Sequence, residues 1–215
     1  MILAIDFGKK RFGYAYGEIQ PSNIGVTSKK GIEKMAVDLK PSIIVVGLPL
    51  SMSGRYSCQT FESIDFAKKL KDKGFDVRMV DERLSTKIAH EILRKSKSSK
   101  PVDAVSASLI FENFTRNPEA ALKIPDDLPK FDMDHIDGKR VLIHNIPDVS
   151  ILDRIKAKKI DVLQENPYIA YLFKKRVNFV ERFEEFLEGD YDIIITAEPE
   201  KVENLLSRGG KIVCP

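Results

Sequence analysis

The 215-residue chain has no tryptophan, only two cysteines and only three histidines. Cys58 and Cys214 lie far apart in sequence, so a disulfide framework or a thiolate metal cage is not expected, and reduced, inert thiols are the default. His135 and His144 have no Cys or His partner at metal-ligand spacing, and His90 reads as a surface or partly packed side chain of an amphipathic helix, which argues against zinc chemistry. No apolar run approaches the roughly 18 residues needed to cross a membrane, and the first residues lack a secretory signal's basic start and long apolar stretch. The expectation is a cytoplasmic protein without a membrane role. There is no internal repeat, and the only biased tract is the short Lys/Ser run at 95–100.

What is present is ordinary globular material, 43% hydrophobic and 31% charged, enough for one large domain or two small ones. The net charge of +3 hides an asymmetry. Residues 1–115 carry 19 Lys/Arg against 13 Asp/Glu, whereas residues 116–215 carry 16 against 19. A basic first half attracts polyanions, and nucleic acid is the partner to consider. Between Thr115 and Gly138 lie Pro118, Pro125 and Pro129, several acids and no sustained periodicity. The division expected is therefore a first domain over 1–115, a linker over 116–137 and a second domain over 138–215.

The first half reads as β-β-β-α-β-α-β-α-α. Ile2 to Phe7 and Phe12 to Tyr16 form a hairpin, and Ile24 to Thr27 adds a third strand. Ile32, Met35, Ala36 and Leu39 recur at helical spacing, and Ile43 to Leu48 is an apolar run suited to a strand covered on both faces. A helix through Phe66 and Leu70, a strand from Val77 to Val80, and helices from Ser85 and Pro101 follow. In the second half, Val141–Ile146, Asp161–Leu163, Asp192–Thr196 and Ile212–Val213 read as strands. Helices are expected around Ile151, through Phe186 and over Pro199–Leu206, giving a smaller α/β domain with a mainly parallel sheet.

Three acids sit where strands or helices end rather than on open faces. Asp6 interrupts the first strand, Glu82 follows the buried strand at Val80, and Asp103 opens the last helix of the first half. Taken singly, each has an ordinary explanation: an ion pair to Lys9, Lys10 or Arg11, a bridge to Arg83, and a helix-dipole contact. Taken together, three carboxylates from separate elements are the oxygen donors that Mg²⁺ or Mn²⁺ require. Such ions can activate water against phosphorus without a His or Cys nucleophile. Tyr14 and Tyr16 could stack bases, but filling the core face of the sheet is the simpler use.

Four segments carry a family resemblance. Ala4-Ile-Asp-Phe-Gly-Lys-Lys-Arg-Phe-Gly-Tyr-Ala15, Val46-Gly-Leu-Pro-Leu-Ser-Met-Ser-Gly54, Val80-Asp-Glu-Arg-Leu-Ser-Thr86 and Val102-Asp-Ala-Val-Ser-Ala107 resemble, in order, the signature blocks of the YqgF/RuvX family. The resemblance covers residues 1 to about 115. It implies an RNase H-like mixed sheet flanked by helices and a metal-dependent nuclease of the cytoplasm. The substrate it implies is the 5′ end of pre-16S ribosomal RNA or a Holliday junction. It assigns Asp6, Glu82 and Asp103 as the catalytic, Mg²⁺- or Mn²⁺-holding set, with Lys10, Arg11, Arg83 and Thr86 as substrate-binding residues. Gly47 and Pro49 would shape a close-approach loop. Lys9 and Ser85 stand where the family commonly has Thr.

Residues 138–215 have no counterpart in the short members of that family, and their role and any oligomerisation stay open. His144-Asn-Ile-Pro-Asp-Val-Ser150 contains no glycine, so a Rossmann phosphate loop is not expected there, and Glu165 alone is a weak ribose acceptor. Ile5-Asp-Phe-Gly8 also resembles the phosphate loop of actin/Hsp70-like ATPases, but those need two complete fold copies and this chain has one. A nucleic-acid-binding module without cleavage is the remaining alternative.

Overall fold

In the computed structural model, which describes residues 1–83, 88, 91, 101–177, 179–187 and 189–215, the apolar run at the amino terminus becomes β1 (Ile2–Asp6). β1 is the strand on which the first sheet is organised. It pairs antiparallel with β2 (Phe12–Gly17), and β2 pairs antiparallel with β3 (Pro21–Thr27). On its other side β1 runs parallel to β4 (Ile43–Leu48), which runs parallel to β5 (Val77–Asp81). A two-residue strand, β6 (Leu122–Lys123), pairs antiparallel with β5 and completes the order β3-β2-β1-β4-β5-β6. This is the mixed α/β, RNase H-like arrangement that the resemblance implies.

Local signals explain the helices. In α1 (Lys29–Leu39) the N-cap Ser28 accepts from the Gly31 amide at 3.2 Å. In α2 (Cys58–Asp72) Ser57 and Thr60 satisfy each other's amides, at 3.1 and 2.9 Å. α3 (Val102–Arg116) begins after Pro101 with no side-chain cap, so Asp103 in its first turn is free for other contacts. Strand alternation sorts the core into two layers. Ala4, Ala15 and Val45 meet Ala107, Ile110, Phe111 and Phe114 of α3, small against large. Leu3, Ile5 and Phe7 point to the other face, where Phe7 joins Phe12 and Phe66. Burying a side chain such as Ile110 or Phe111 fully contributes roughly 1.5–3 kcal/mol.

The chain forms two compact units, Met1–Ile124 and Pro125–Pro215. β6 and the end of the first unit thus fall inside the stretch read from the sequence as a linker. The helix expected from Ser85 falls largely outside the described residues.

The second unit holds a five-stranded, all-parallel sheet. Its strands are β7 (Ile136–His144), β8 (Ile155–Leu163), β9 (Phe179–Glu181), β10 (Tyr191–Thr196) and β11 (Leu206–Val213), in the order β11-β10-β7-β8-β9. Numbered within the unit this is 5-4-1-2-3, a doubly wound strand order. The helical expectations for this unit fare less well. Among the described residues its only α-helix is α4 (Pro167–Lys174); Val149–Arg154, Glu184–Phe186, Pro199–Lys201 and Glu203–Leu205 are 3₁₀ turns. The region expected to be helical through Phe186 also contains strand β9, and the expected helix at Pro199 gives way to β11 at Leu206. Crossovers this short leave room for one or two turns, and helical spacing alone does not separate a 3₁₀ turn from an α-helix.

Candidate active site

Three elements deliver the acids. β1 ends at Asp6, Glu82 follows the last residue of β5, and Asp103 sits in the first turn of α3. Two glycines let these elements approach closely. Gly13 lies opposite Asp6 in the β1–β2 register, and a Cβ there would fall 1.9 Å from the Asp103 carbonyl oxygen, so only glycine admits the start of α3 against β2. Gly47 in β4 would place a Cβ 2.3 Å from Glu82 Oε2 and 2.8 Å from Ile110 Cδ1. The space a methyl would take is the space the Glu82 carboxyl fills.

The electrostatics of the cluster are those of negative charge gathered without enough compensation. Burial raises the Glu82 pKa from 4.5 to about 8, helped by the charges of Asp6 and Asp81 and by the hydrogen bond it shares with Asp6. Burial likewise raises Asp6 from 3.8 to about 6, with Asp103 adding repulsion while hydrogen bonds from Ser106 and Glu82 pull the other way. At neutral pH the neutral Glu82 carboxyl donates to the Asp6 carboxylate. Glu82 Oε2 is buried without a hydrogen-bond partner. A buried carboxyl oxygen left in that state is costly and calls for a cation or proton donor.

Hard-cation chemistry fits this donor set: three carboxylates, one with an orphaned buried oxygen. The fit is not that of a preformed cage. Among the described residues no group of three or more His, Cys, Asp or Glu side chains is drawn together tightly enough to hold an ion as it stands. Asp6 and Glu82 share a proton, and Asp103 is held by Arg11, whose Nη2 lies 3.2 Å from Asp103 Oδ2.

The sequence-identified basic residues divide. Arg11 joins the acidic cluster through Asp103 and not through Asp6. Arg83 turns away from Glu82 and grips Asp81 twice, at 2.8 Å from Nε and 2.7 Å from Nη2. Lys10 is exposed and lines a cleft with Phe7 and Lys9. Thr86 lies outside the described residues, as do Ser85 and His90. Tyr14 and Tyr16 are half-buried and stack on each other, with centroids 6.2 Å apart. Pro49 accepts a hydrogen bond from Thr60 at its carbonyl, tying the Gly47–Pro49 segment to the start of α2. Sequence reading missed Ser106 and the role of Gly13. The signals were a hydroxyl one helical turn beyond Asp103 and a glycine inside a strand run.

In the second unit Asp161 keeps a buried oxygen, Oδ1, without a hydrogen-bond partner, while other polar groups pair with one another. His144 Nδ1 lies 2.8 Å from Thr196 Oγ1, and Asn145 Nδ2 reaches Glu198 at 3.3 Å. Glu165 is exposed, and its amide donates to Asn145 Oδ1. His135 contacts the Arg154 carbonyl oxygen at 3.3 Å, and Cys58 and Cys214 are both free. No helix among the described residues is long and apolar enough to cross a membrane.

A family model described as "RuvX: Holliday junction resolvase" matches residues 1–117. A Thermotoga maritima protein named "Putative pre-16S rRNA nuclease" is 39% identical over 217 aligned residues, spanning 100% of this chain and 94% of that protein. A protein of the same name from Histophilus somni is 36% identical over 133 residues, 54% of this chain and 94% of its own length. The second unit therefore has a counterpart in the Thermotoga protein and no room for one in the Histophilus protein. A solved structure of T. thermophilus RuvC with a Holliday junction substrate aligns at 12% identity and a TM-score of 0.38, covering 57% of this chain and 98% of that one, too distant a likeness to argue from. With a model match over more than half its length and a 39% identical relative along all of it, the chain belongs to the RuvX family.

Proposed function

We propose that the first unit is a divalent-cation-dependent nuclease of the cytoplasm that hydrolyses phosphodiester bonds in structured nucleic acid, with the 5′ end of pre-16S rRNA as its substrate. One observation carries this reading: Asp6 at the end of β1 and Glu82 just past β5 share a hydrogen bond across the intervening β4, and Glu82 keeps a buried oxygen with no partner. A purely structural carboxyl in that position would have been given an Arg or an amide. The names of the relatives support the choice of substrate, and the description of the family model supports a Holliday junction as the second substrate to test.

Asp6, Glu82 and Asp103 would hold Mg²⁺ or Mn²⁺, and Lys10, Arg11, Arg83 and Thr86 would contact the substrate. When bound, such a cation supplies positive charge at the scissile phosphate and lowers the pKa of an attacking water. The protein's own residues do the rest. Glu82 would release its proton to solvent when a cation offsets the charge of the neighbouring carboxyls, and the Ser106 hydroxyl would donate to Asp6. Arg11 is two-thirds exposed, so its guanidinium can bridge Asp103 and a backbone phosphate. Gly47 and Gly13 keep the pocket wide enough for the carboxyl and tight enough to bring α3 to it.

The test is cleavage by the full chain with Mn²⁺ of a pre-16S rRNA fragment and, separately, a four-way DNA junction. The expected result is cut RNA by the wild type and none by Asp6→Asn. Cutting of the junction alone transfers the activity to branched DNA, and binding of either substrate without cutting reduces the unit to a binding module.

A further inference from the structure

Immediately past Asp6 the chain turns, and on the sheet face opposite α3 it opens a cleft of about 660 Å³. Its floor is aromatic. Phe7 meets Phe12 edge-on at 5.2 Å, Phe12 meets Phe66 at 5.1 Å, and the half-buried Phe61 of α2, whose ring is 5.6 Å from that of Tyr56, also lines the cleft. Its rim is cationic. Lys9 and Lys10 are exposed with no ion-pair partner among the described residues, and Lys29 Nζ stands 5.9 Å from the centre of the Phe66 ring. Glu62 and Asp65 also line the rim, Asp65 being paired with Lys69 at 2.5 Å.

An apolar ring floor beneath free ammonium groups is complementary to one kind of ligand, a flat π-system carrying a phosphate. Position strengthens the case. The same short turn that presents Lys9 and Lys10 to this cleft presents Arg11 to Asp103, so cleft and acidic cluster are two sides of one five-residue stretch. A strand with a phosphate at the acids and its backbone over the turn would bring the neighbouring nucleotide to the cleft. Glu62 repels a phosphate at its side of the rim and accepts from the amino groups of a base edge.

We propose that this cleft receives an unstacked nucleobase of the nucleic-acid strand, with Phe61 against the base and Lys9, Lys10 and Lys29 around its phosphate. The inference rests on the nuclease reading for the neighbouring phosphate, and it specifies the substrate further: the nucleotide next to the cut must be unpaired or able to leave its stack.

The test uses the full chain in EDTA, where no cleavage interferes, with dodecamer RNA and DNA single strands carrying one 2-aminopurine and with the matching perfect duplexes. The wild type is expected to bind at least one single strand with a change in 2-aminopurine fluorescence and to leave the duplex signal unchanged. Phe61→Ala should weaken single-strand binding about tenfold and abolish the fluorescence change. Lys29→Gln, at an exposed helix start where folding is not at stake, should weaken binding several-fold and flatten its salt dependence. Binding and fluorescence like the wild type in both variants, or no single-strand binding at all, overturns the proposal. The two readings fail separately. A wild type that gives the fluorescence change but never cuts with Mn²⁺ leaves the cleft standing without the nuclease. Normal cutting with unchanged KM in both variants leaves the nuclease standing without the cleft.

Discussion

The two units differ in the charge they set beside their buried acids. In the first, Asp6 and Glu82 have only each other and Ser106, and both carboxyls are pushed towards their neutral forms. In the second, Asp148 accepts from the amides of Phe131 and Ser150, both at 2.8 Å, and from the Ser150 hydroxyl, which hold its pKa below the ordinary value. Asp161 accepts from the buried Tyr191 hydroxyl at 2.7 Å, with Lys159 Nζ at 3.4 Å. Asp161 also keeps one buried oxygen, Oδ1, without a hydrogen-bond partner, but Lys159 and Arg140 stand beside it, at 3.4 and 3.9 Å from Oδ2, whereas the charges that face Asp6 and Glu82 are those of other carboxyls. The contrast identifies the deficit in the first unit as local, and a local deficit of positive charge is what a bound cation removes.

The sharpest way to break the contrast is Asp6→Asn, which should cut cleavage on the order of 10³-fold while the thermal transition holds, since the change removes charge from a repelling cluster. A mutant as active as the wild type would move the chemistry elsewhere. Next come the glycines. Gly13→Ala meets backbone that cannot give and should destabilise the chain by about 1–3 kcal/mol, whereas Gly47→Ala should act mainly by displacing the Glu82 carboxyl and weakening Mn²⁺ binding. Equal Mn²⁺ affinity in Gly47→Ala, by calorimetry, would separate that glycine from the site.

Acidity provides a third comparison. Glu82 at about 8 and Asp6 at about 6 both lie above their unfolded values of 4.5 and 3.8, so between about pH 4 and about pH 8 the folded chain holds more protons than the unfolded one. Cation-free thermal stability should therefore fall as pH rises through that window, and added Mn²⁺ should restore more of it at pH 8 than at pH 6. Glu82→Gln should remove most of the fall. The smallest effect belongs to the second unit. Asp148→Ala loses caps worth about 1 kcal/mol, or roughly 2–4 °C of melting temperature, and should leave cleavage untouched.

Much of the first unit is readable from residues alone. The alternation in Ile2–Asp6, the apolar run at Ile43 and the Ser28 and Ser57 signals each specify an element by local physics. The acids were readable as positions at element ends, but their convergence was not, because proximity between Asp6 and Asp103 depends on the strand order and on Gly13 admitting α3. Their donor chemistry and the family resemblance group them in advance without showing the geometry. Side-chain partners were less legible still: the sequence offers Arg11 to Asp6 and Arg83 to Glu82, while the fold gives them to Asp103 and Asp81. β6 escaped because two residues carry no periodicity, and the turns of the second unit were read as helices because both begin with the same capping and proline signals.

The central claim is that Asp6, Glu82 and Asp103 share a divalent cation, and proton release tests it most directly. Mn²⁺ titrated calorimetrically into the full chain at pH 7, in two buffers of different ionisation enthalpy, should bind and expel about one proton, chiefly from Glu82, with both effects lost in Glu82→Gln. Binding with no proton released, or with the same release in Glu82→Gln, would contradict it.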